Sequence, residues 1–248
     1  MNTRMNYHGL RRWKFLTGLV VAGLLLGGLT ACRTTHQVGE SEQDFSGFLG
    51  DYSQLQRGKK GEANFVYFAP AVNWKKYTKI YIRPIELWKS GEPDTPLGRM
   101  SPKNQQWLVN CFHTALVDAL EKNFIIVNQP GSDVLVVHAA VTEARKSRPV
   151  LNLVSSVVPM ALLVSYGKQA VTGTGTGVGL VMVEADFRDG ETGQRVVAAV
   201  DERAGTKALR TKFDHTWGDV QLAFEWWAAR VDERLIKLKA GSVSNDTL

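Results

Sequence analysis

Residues 178–203, VGLVMVEADFRDGETGQRVVAAVDER, decide the fold, because two mostly apolar runs flank a run of turn residues. The turn run is Asp189-Gly190-Glu191-Thr192-Gly193, whose composition is typical of a β-hairpin loop. We therefore predict antiparallel strands at 178–188 and 195–203. The side chains predicted to face one side are Val181, Val183, Ala185 and Phe187, and those predicted to face the other are Glu184, Asp186 and Arg188.

The segment before the hairpin predicts a strand followed by a helix. Residues 78–84 alternate Ile80 and Ile82 with polar side chains, which is typical of a strand. Ser101 and Pro102 match the N-cap and first turn of a helix, which we expect to run to about Lys122. Its predicted inner stripe is Leu108, Phe112, Ala115, Leu116 and Ala119.

Two further strands and a last helix complete the prediction. Residues 124–127 form a short apolar run, and residues 134–141 are apolar on both faces, which favours a central strand. Residues 216–239 have helical apolar spacing, with the stripe Val220, Phe224, Trp227, Val231, Leu235 and Leu238. We therefore predict a single α+β domain, with a mixed sheet of about four to five strands and helices packed on it.

The start of the chain has the pattern of an export signal. Four basic residues precede Phe15, and residues 15–28 are apolar or small apart from Thr17. These 14 residues are too few to span a bilayer, which takes roughly 20. The tetrad Leu29-Thr30-Ala31-Cys32 resembles the bacterial lipobox, which implies cleavage between Ala31 and Cys32 and acylation of Cys32. The alternatives are an ordinary secretory signal with a chance cysteine, or an uncleaved short anchor.

The same resemblance to lipoproteins implies a location. Cys32 would carry three acyl chains, and two or more chains hold a protein firmly on a membrane. An Asp after the cysteine tends to retain such proteins at the inner membrane, and this chain has Arg33 there. The resemblance therefore implies a palmitate-type anchor in the outer membrane of a Gram-negative envelope, with the domain on the periplasmic face.

Composition sets the domain limits and excludes some classes of partner. We predict a signal peptide at 1–31, a lipidated tether at 32–62, the α+β domain at 63–240 and a disordered tail at 241–248. Four of the 30 basic residues lie in the signal, which leaves 26 against 24 acidic residues, or a net charge of +2. This balance gives no reason to expect a nucleic-acid partner. After cleavage only Cys111 remains beside Cys32, so no disulfide framework is expected.

Within the tether range, residues 45–52 (FSGFLGDY) combine aromatic and apolar side chains that should dock on a surface. We expect them to dock on the chain's own domain rather than on a partner. This stretch is also part of a wider resemblance. Residues 45–55 (FSGFLGDYSQL), 74–88 (WKKYTKIYIRPIELW), 115–144, 149–155 (PVLNLVS), 183–203 and the tryptophan-rich terminal helix resemble the proteobacterial lipoprotein family called domain of unknown function 3313. That family has no assigned reaction, so the resemblance implies no catalytic positions.

The chemistry-bearing residues form no recognisable catalytic motif, metal site or cofactor site. The histidines His113 and His138 are isolated on predicted elements, so hydrogen-bonded structural roles are expected. The glycine-rich run 173–179 precedes a strand and has no Lys-Ser or Lys-Thr pair, which favours a connector over a phosphate cradle. The hairpin acids Glu184, Asp186, Asp201 and Glu202 share their strands with Arg188, Arg195 and Arg203, so we expect solvated cross-strand charge pairs.

The most unusual segment is 150–164 (VLNLVSSVVPMALLV), which has no charge and contains Pro159 in its middle. A helix of this length is too short to cross a bilayer. The segment either completes the core or is an exposed contact surface for a second copy or another envelope protein. In the second case the contact residues are Val154, Val158, Leu162 and Leu163.

Two functions fit these observations. The first is a noncatalytic envelope protein that binds a partner or assembles at the membrane. The second is a ligand- or glycan-handling protein, even a hydrolase, with acids converging on a pocket lined by tryptophans. The tryptophans available for such a pocket are Trp74, Trp88, Trp107, Trp226 and Trp227. A flat apolar face at 150–164 would favour the first function, and a deep pocket with clustered acids would favour the second.

Overall fold

A long strand that is buried on both faces forms the centre of the fold. It covers Val134–Arg145 and lies between the hairpin on one side and two parallel strands on the other. The computed structural model describes residues 35–38, 45–88, 94–145, 179–205 and 217–241. The chain divides into two compact units, Met1–Arg33 and Thr34–Leu248, and every described residue lies in the second. Leu135, Ala140 and Val141 are fully buried, which confirms the prediction of a central strand.

Nine strands form one mixed sheet in the described part of the chain. They are β1 (Thr35–Gln37), β2 (Gln56–Arg57), β3 (Phe65–Phe68), β4 (Lys79–Ile82), β5 (Glu86–Leu87), β6 (Ile125–Val127), β7 (Val134–Arg145), β8 (Leu180–Asp189) and β9 (Arg195–Gly205). The order is β2-β3-β9-β8-β7-β4-β6, with β1 paired to β9 and β5 paired to β7. Strands β4, β5 and β6 run parallel to their neighbours, and the remaining pairs are antiparallel.

The α+β class and the hairpin are confirmed, but the predicted number of strands is too low. Strands β1, β2, β3 and β5 have two to four residues each, which is too short for an alternating pattern to stand out. Strands β1 and β2 also lie within 32–62, the range predicted as a tether. In the described residues of that range the chain is therefore partly incorporated into the sheet.

Two helices pack on the same face of the sheet. Helix α1 covers Pro102–Leu120, and the side chain of Ser101 caps it by accepting a hydrogen bond from the backbone N of Asn104. Helix α2 covers Gly218–Ala240 and ends at Gly241, whose φ of 70° is the left-handed conformation that favours glycine. The rings of Phe112 and Phe224 stack at 4.6 Å between the helices, so the predicted stripes meet each other. Neither described helix is long and apolar enough to cross a membrane.

Residues 45–55, here called the strap, cover the opposite face of the sheet. Leu49 is buried with Phe65 and Met182, and Phe45 stacks on Tyr52 with ring centroids 4.4 Å apart. The expectation that this segment docks on its own domain is confirmed. Because the strap covers one face and the helices cover the other, the central strands of the sheet are shielded on both sides.

Candidate functional site

Three of the four hairpin acids named from the sequence are buried, which contradicts the prediction of solvated charge pairs for them, whereas Glu202 is half-buried. Glu184 is 0 % exposed, and Asp186 and Asp201 are each 2 % exposed. Glu184 and Asp186 lie under the strap, whereas Asp201 lies under helix α2 together with Arg203. The alternating pattern identified the two faces correctly, but it could not show that both are covered. A buried carboxylate without donors costs several kcal/mol, so each of these acids needs fixed partners.

Glu184 holds the strap on the sheet. One carboxylate oxygen accepts a hydrogen bond from the backbone N of Ser46 at 2.8 Å, and the other accepts from the Tyr52 hydroxyl at 2.6 Å. Burial and the negative charge of Glu184 raise the pKa of Tyr52 to about 12. The Trp88 indole adds a hydrogen bond to the Ser46 carbonyl at 2.9 Å. These bonds make Glu184 a structural anchor for the strap.

Asp186 is the centre of a second buried charge cluster. It lies 2.6 Å from Arg188, 3.3 Å from Arg195, and 3.4 Å from Nδ1 of His138. The other ring nitrogen of His138 lies 2.8 Å from Glu86, so His138 has the hydrogen-bonded structural role that was predicted for it. Arg195 extends from this cluster to the strap, where it donates to the carbonyls of Leu49 and Asp51 at 2.7 and 2.9 Å.

Asp201 lies on the helix-covered face and is surrounded by donors. It accepts hydrogen bonds from the Trp227 indole at 2.6 Å, the Gln37 amide at 2.7 Å and the backbone N of Asn64 at 3.0 Å. Burial raises the pKa of Asp201, and the hydrogen bond from Trp227 opposes that shift in part. Arg203, on the same strand, stacks its guanidinium 3.6 Å from the centre of the Trp226 ring.

A cavity of about 200 Å³ lies between helix α2 and the sheet. Its floor contains a row of three alanines in register across the central strands, because Ala139 pairs with Ala185 and Ala185 pairs with Ala199. The next row contains the larger Phe187 and Val197. The helix rests on the larger side chains of the neighbouring row. The small alanine side chains do not reach it, so a depression remains beneath the helix.

The wall formed by helix α2 changes from apolar to charged towards the solvent. Trp226, Trp227, Val231, Leu235 and Leu238 supply its apolar part. The charged residues that line the cavity are Glu62, Arg230, Glu233, Arg234 and Lys237, together with the buried Asp201. Arg234 pairs with Glu62 across the opening at 2.9 Å, and Glu233 lies 2.6 Å from Arg230 and 2.7 Å from Lys237. We refer to these five residues as the mouth of the cavity.

The structure brings together some of the predicted site residues and leaves others outside the described part. Trp226 and Trp227 line the cavity, whereas Trp74 is in the core, Trp88 contacts the strap and Trp107 stacks on Trp217. Ala31, Cys32, Val154, Val158, Leu162 and Leu163 lie outside the described residues. The described residues contain no group of three or more His, Cys, Asp or Glu side chains that could hold a metal ion.

The alanine row and Glu62 could not be predicted from the sequence. Ala139 and Ala199 stand among other alanines of their own strands, and their alignment with Ala185 depends on the register of three strands. Glu62 lies in a loop before β3, with no pattern that links it to the terminal helix.

Residues 44–231 match the family described as "Protein of unknown function (DUF3313)". The chain belongs to this family. The match confirms the resemblance found in the sequence, and the DUF3313 description names no reaction. No curated protein matches the chain.

Several solved structures are similar to this chain at low sequence identity and with low TM-scores. The PelC dodecamer from Paraburkholderia phytofirmans is 14% identical, with 68% of this chain and 95% of that chain covered and a TM-score of 0.38. The minor lipoprotein from Acinetobacter baumannii is 12% identical, with 68% and 97% covered and a TM-score of 0.32. Lipoprotein GNA1162 from Neisseria meningitidis is 11% identical, with 64% and 99% covered and a TM-score of 0.31.

Proposed function

We propose that this DUF3313 protein is a lipoprotein of the bacterial envelope, anchored through acylated Cys32, and that its domain binds a ligand or partner without catalysing a reaction. The basic start, the short apolar run and the tetrad ending in Cys32 support export and lipidation. Arg33, in place of an acidic residue, supports the outer membrane as its destination, with the domain in the periplasm.

The observation that carries the binding role is the contrast between the cavity and the buried acids. The cavity is mostly apolar and meets solvent at the mouth, which is the usual form of a binding site. Glu184, by contrast, accepts two short hydrogen bonds and Asp201 accepts three. Fixed donors on these carboxylates favour structural roles over general acid or base catalysis, which needs a group free to exchange a proton with substrate.

A second surface belongs to the same proposal. Val154, Val158, Leu162 and Leu163 are proposed to contact another envelope protein or a second copy, since the uncharged segment around them is long for an exposed surface without a partner. Self-association and a heterologous partner are both compatible with this composition.

One observation favours a hydrolase or glycan-handling protein as the second candidate. Trp226 and Trp227 line the same cavity as Asp201, Glu62 and Glu233, which is the combination of tryptophans and acids that such a protein would need. Asp201→Asn distinguishes the two functions. Loss of hydrolysis of envelope glycan fragments, with ligand binding retained, would support the hydrolase, whereas an absence of any hydrolysis in the wild-type protein supports binding.

The anchor is tested by metabolic labelling of cells with a clickable palmitate analogue. The wild-type protein should carry the label and Cys32→Ser should not, because the thiol is the attachment point. Cys111→Ser is the matched control and should label like wild type. Label that persists in Cys32→Ser would refute the anchor. Density-gradient separation tests location independently, and recovery of the wild-type protein with the inner membrane would refute the outer-membrane assignment alone.

A further inference from the structure

We infer that the cavity beneath helix α2 binds one acyl chain of an anionic amphiphile, with the chain on the alanine row and the acidic head at the mouth. This deepens the proposed binding function and rests on it. Four features carry the inference: the size and lining of the cavity, the charge at the mouth, a buried donor of Arg234, and the crowding of two guanidiniums around Trp226.

The size and lining of the cavity select a single hydrocarbon chain. A dry apolar cavity of roughly 150 Å³ holds a benzene molecule, so the volume of about 200 Å³ fits part of one chain and not two side by side. The floor at Ala139, Ala185 and Ala199 and the walls at Phe187 and Leu238 offer a chain apolar contacts. The remainder of the chain would leave through the mouth.

The charge at the mouth selects an anionic head. Arg230, Arg234 and Lys237 are three cations, and Glu62 and Glu233 are two anions, which leaves one positive charge over at the mouth. The buried Asp201, also in the lining, interacts with Arg203 of its own strand. The side chains of all five residues are at least partly exposed to solvent. An acidic head bound among them would therefore keep part of its hydration shell. A carboxylate or a phosphate would therefore be favoured over a neutral head.

Arg234 provides a specific donor for that head. Its Nη2 is committed to Glu62, whereas its Nε is buried and has no hydrogen-bond acceptor in the part of the chain that the structure describes. A buried donor without an acceptor is costly. An oxygen of the acidic head at this position would satisfy it, and the geometry of a guanidinium suits a carboxylate or phosphate in particular.

Two guanidiniums lie against the ring of Trp226 near the same opening. Arg203 stacks 3.6 Å from the ring centre and Arg230 lies 5.2 Å from it. Burial lowers the pKa of Arg203, the negative charge of Asp201 opposes that shift, and the positive charge of Arg230 adds to it. An anion bound at the mouth would reduce the repulsion between these two guanidiniums.

The test uses the full lipidated protein in phosphatidylcholine nanodiscs. The probe is dodecanoic acid that carries a diazirine in its chain and a terminal alkyne, and labelled peptides are located by mass spectrometry. Label should map to the peptides of residues 61–68 and 226–238. A parallel sample with the same photoreactive chain esterified in phosphatidylglycerol, whose head is anionic, separates a free acid from a phospholipid as the source of the chain. The corresponding dodecanol probe should label the cavity at least tenfold less, because it lacks the charge.

Variants decide whether the label reports the cavity. Ala199→Ile fills the floor, suits a strand, and should reduce labelling at least tenfold, whereas Ala240→Ile on the exposed end of α2 should leave it unchanged. Arg234→Gln should weaken labelling by the acid most, and Arg234→Lys, which keeps the charge but lacks the Nε donor, should fall between Arg234→Gln and wild type. Exposed Arg99→Gln is the control. If Ala199→Ile does not fold, Ala185→Val fills the same row and replaces it.

Three results would overturn the inference: label that maps only to other peptides, undiminished label in a filled variant that melts like wild type, or equal labelling by acid and alcohol. The mass of the Cys32 peptide in the same digest reports the anchor. Loss of acylation and loss of cavity binding are therefore separate readouts, and failure of the cavity does not imply failure of the proposed anchor.

Discussion

At the scale of single residues, Asp189 shows how a turn residue can join distant parts of the chain. Its carboxylate accepts hydrogen bonds from the backbone N of Thr192 at 2.8 Å and from the Tyr77 hydroxyl at 2.8 Å, and it pairs with Lys76. Burial alone would raise the pKa of Asp189, but these donors outweigh it and hold the pKa far below its usual range. The hairpin turn is thereby fixed to the segment before β4.

This depressed pKa predicts a specific loss of stability in acid. Because Asp189 is charged more readily in the folded state, its contribution is fully present above the unfolded pKa near 3.8 and is lost as the pH falls towards the lower folded pKa. Urea unfolding from pH 7 to pH 2 measures it. Asp189→Asn should cost on the order of 2 kcal/mol at pH 7 and show a smaller decline below pH 4. Asp118→Asn, at an exposed position on α1, should follow wild type, and an equal decline in both variants would contradict the role of Asp189.

At the scale of elements, strand β7 is buried by different layers on its two faces. Val141 faces the helix-covered core and is fully buried. Val136 faces the strap side, where its partner across the strand pair is Arg188. The same type of substitution should therefore have different consequences at the two positions.

We predict that Val141→Asp unfolds the domain and that Val136→Asp is tolerated better. A buried unpaired carboxylate costs several kcal/mol, comparable to much of the stability of a domain, whereas a carboxylate at position 136 would share Arg188 with Asp186. Thermal melting of the two purified variants, with wild type as reference, measures the difference. Equal loss at both positions would show that Arg188 does not compensate, and a wild-type melting temperature for Val141→Asp would contradict its place in the core.

Elements with long patterns could be predicted from the sequence, and elements fixed by tertiary contacts could not. The alternation from Val183 to Arg188 and the helical spacing around Phe224 follow from local geometry, so β8 and α2 were predicted nearly to their ends. Strand β1 has three residues and exists because Thr35, His36 and Gln37 pair with β9, which no local pattern encodes. The buried state of Glu184 likewise depends on Tyr52, 132 residues earlier in the chain.

At the scale of the whole molecule, the candidate site was harder to predict from the sequence than any single element. The sequence offered Trp226 and Trp227 only as two of five tryptophans that a pocket would need. The depth of the cavity depends on three alanines from three strands, and its charge depends on Glu62 meeting Arg234 across 172 positions. A cavity is space that packed helices and strands leave empty. It can therefore be located only when the positions of those elements are known.

Residues 150–164 carry the last prediction, which concerns assembly. If Val154 and Leu163 face a partner or a second copy, replacing both with Lys should leave folding intact and remove the association. If they complete the core, the same change should destabilise the monomer by several kcal/mol, because two unpaired charges would be buried. Residues 33–248, produced without the signal, allow thermal melting and light scattering on the same sample. Lys replacement of the exposed Ser53 and Gln54 is the matched control for added charge. A collapse of the melting temperature in the double variant, with a monomeric wild type, would rule out the contact surface, whereas an unchanged melting temperature with a smaller particle would support it.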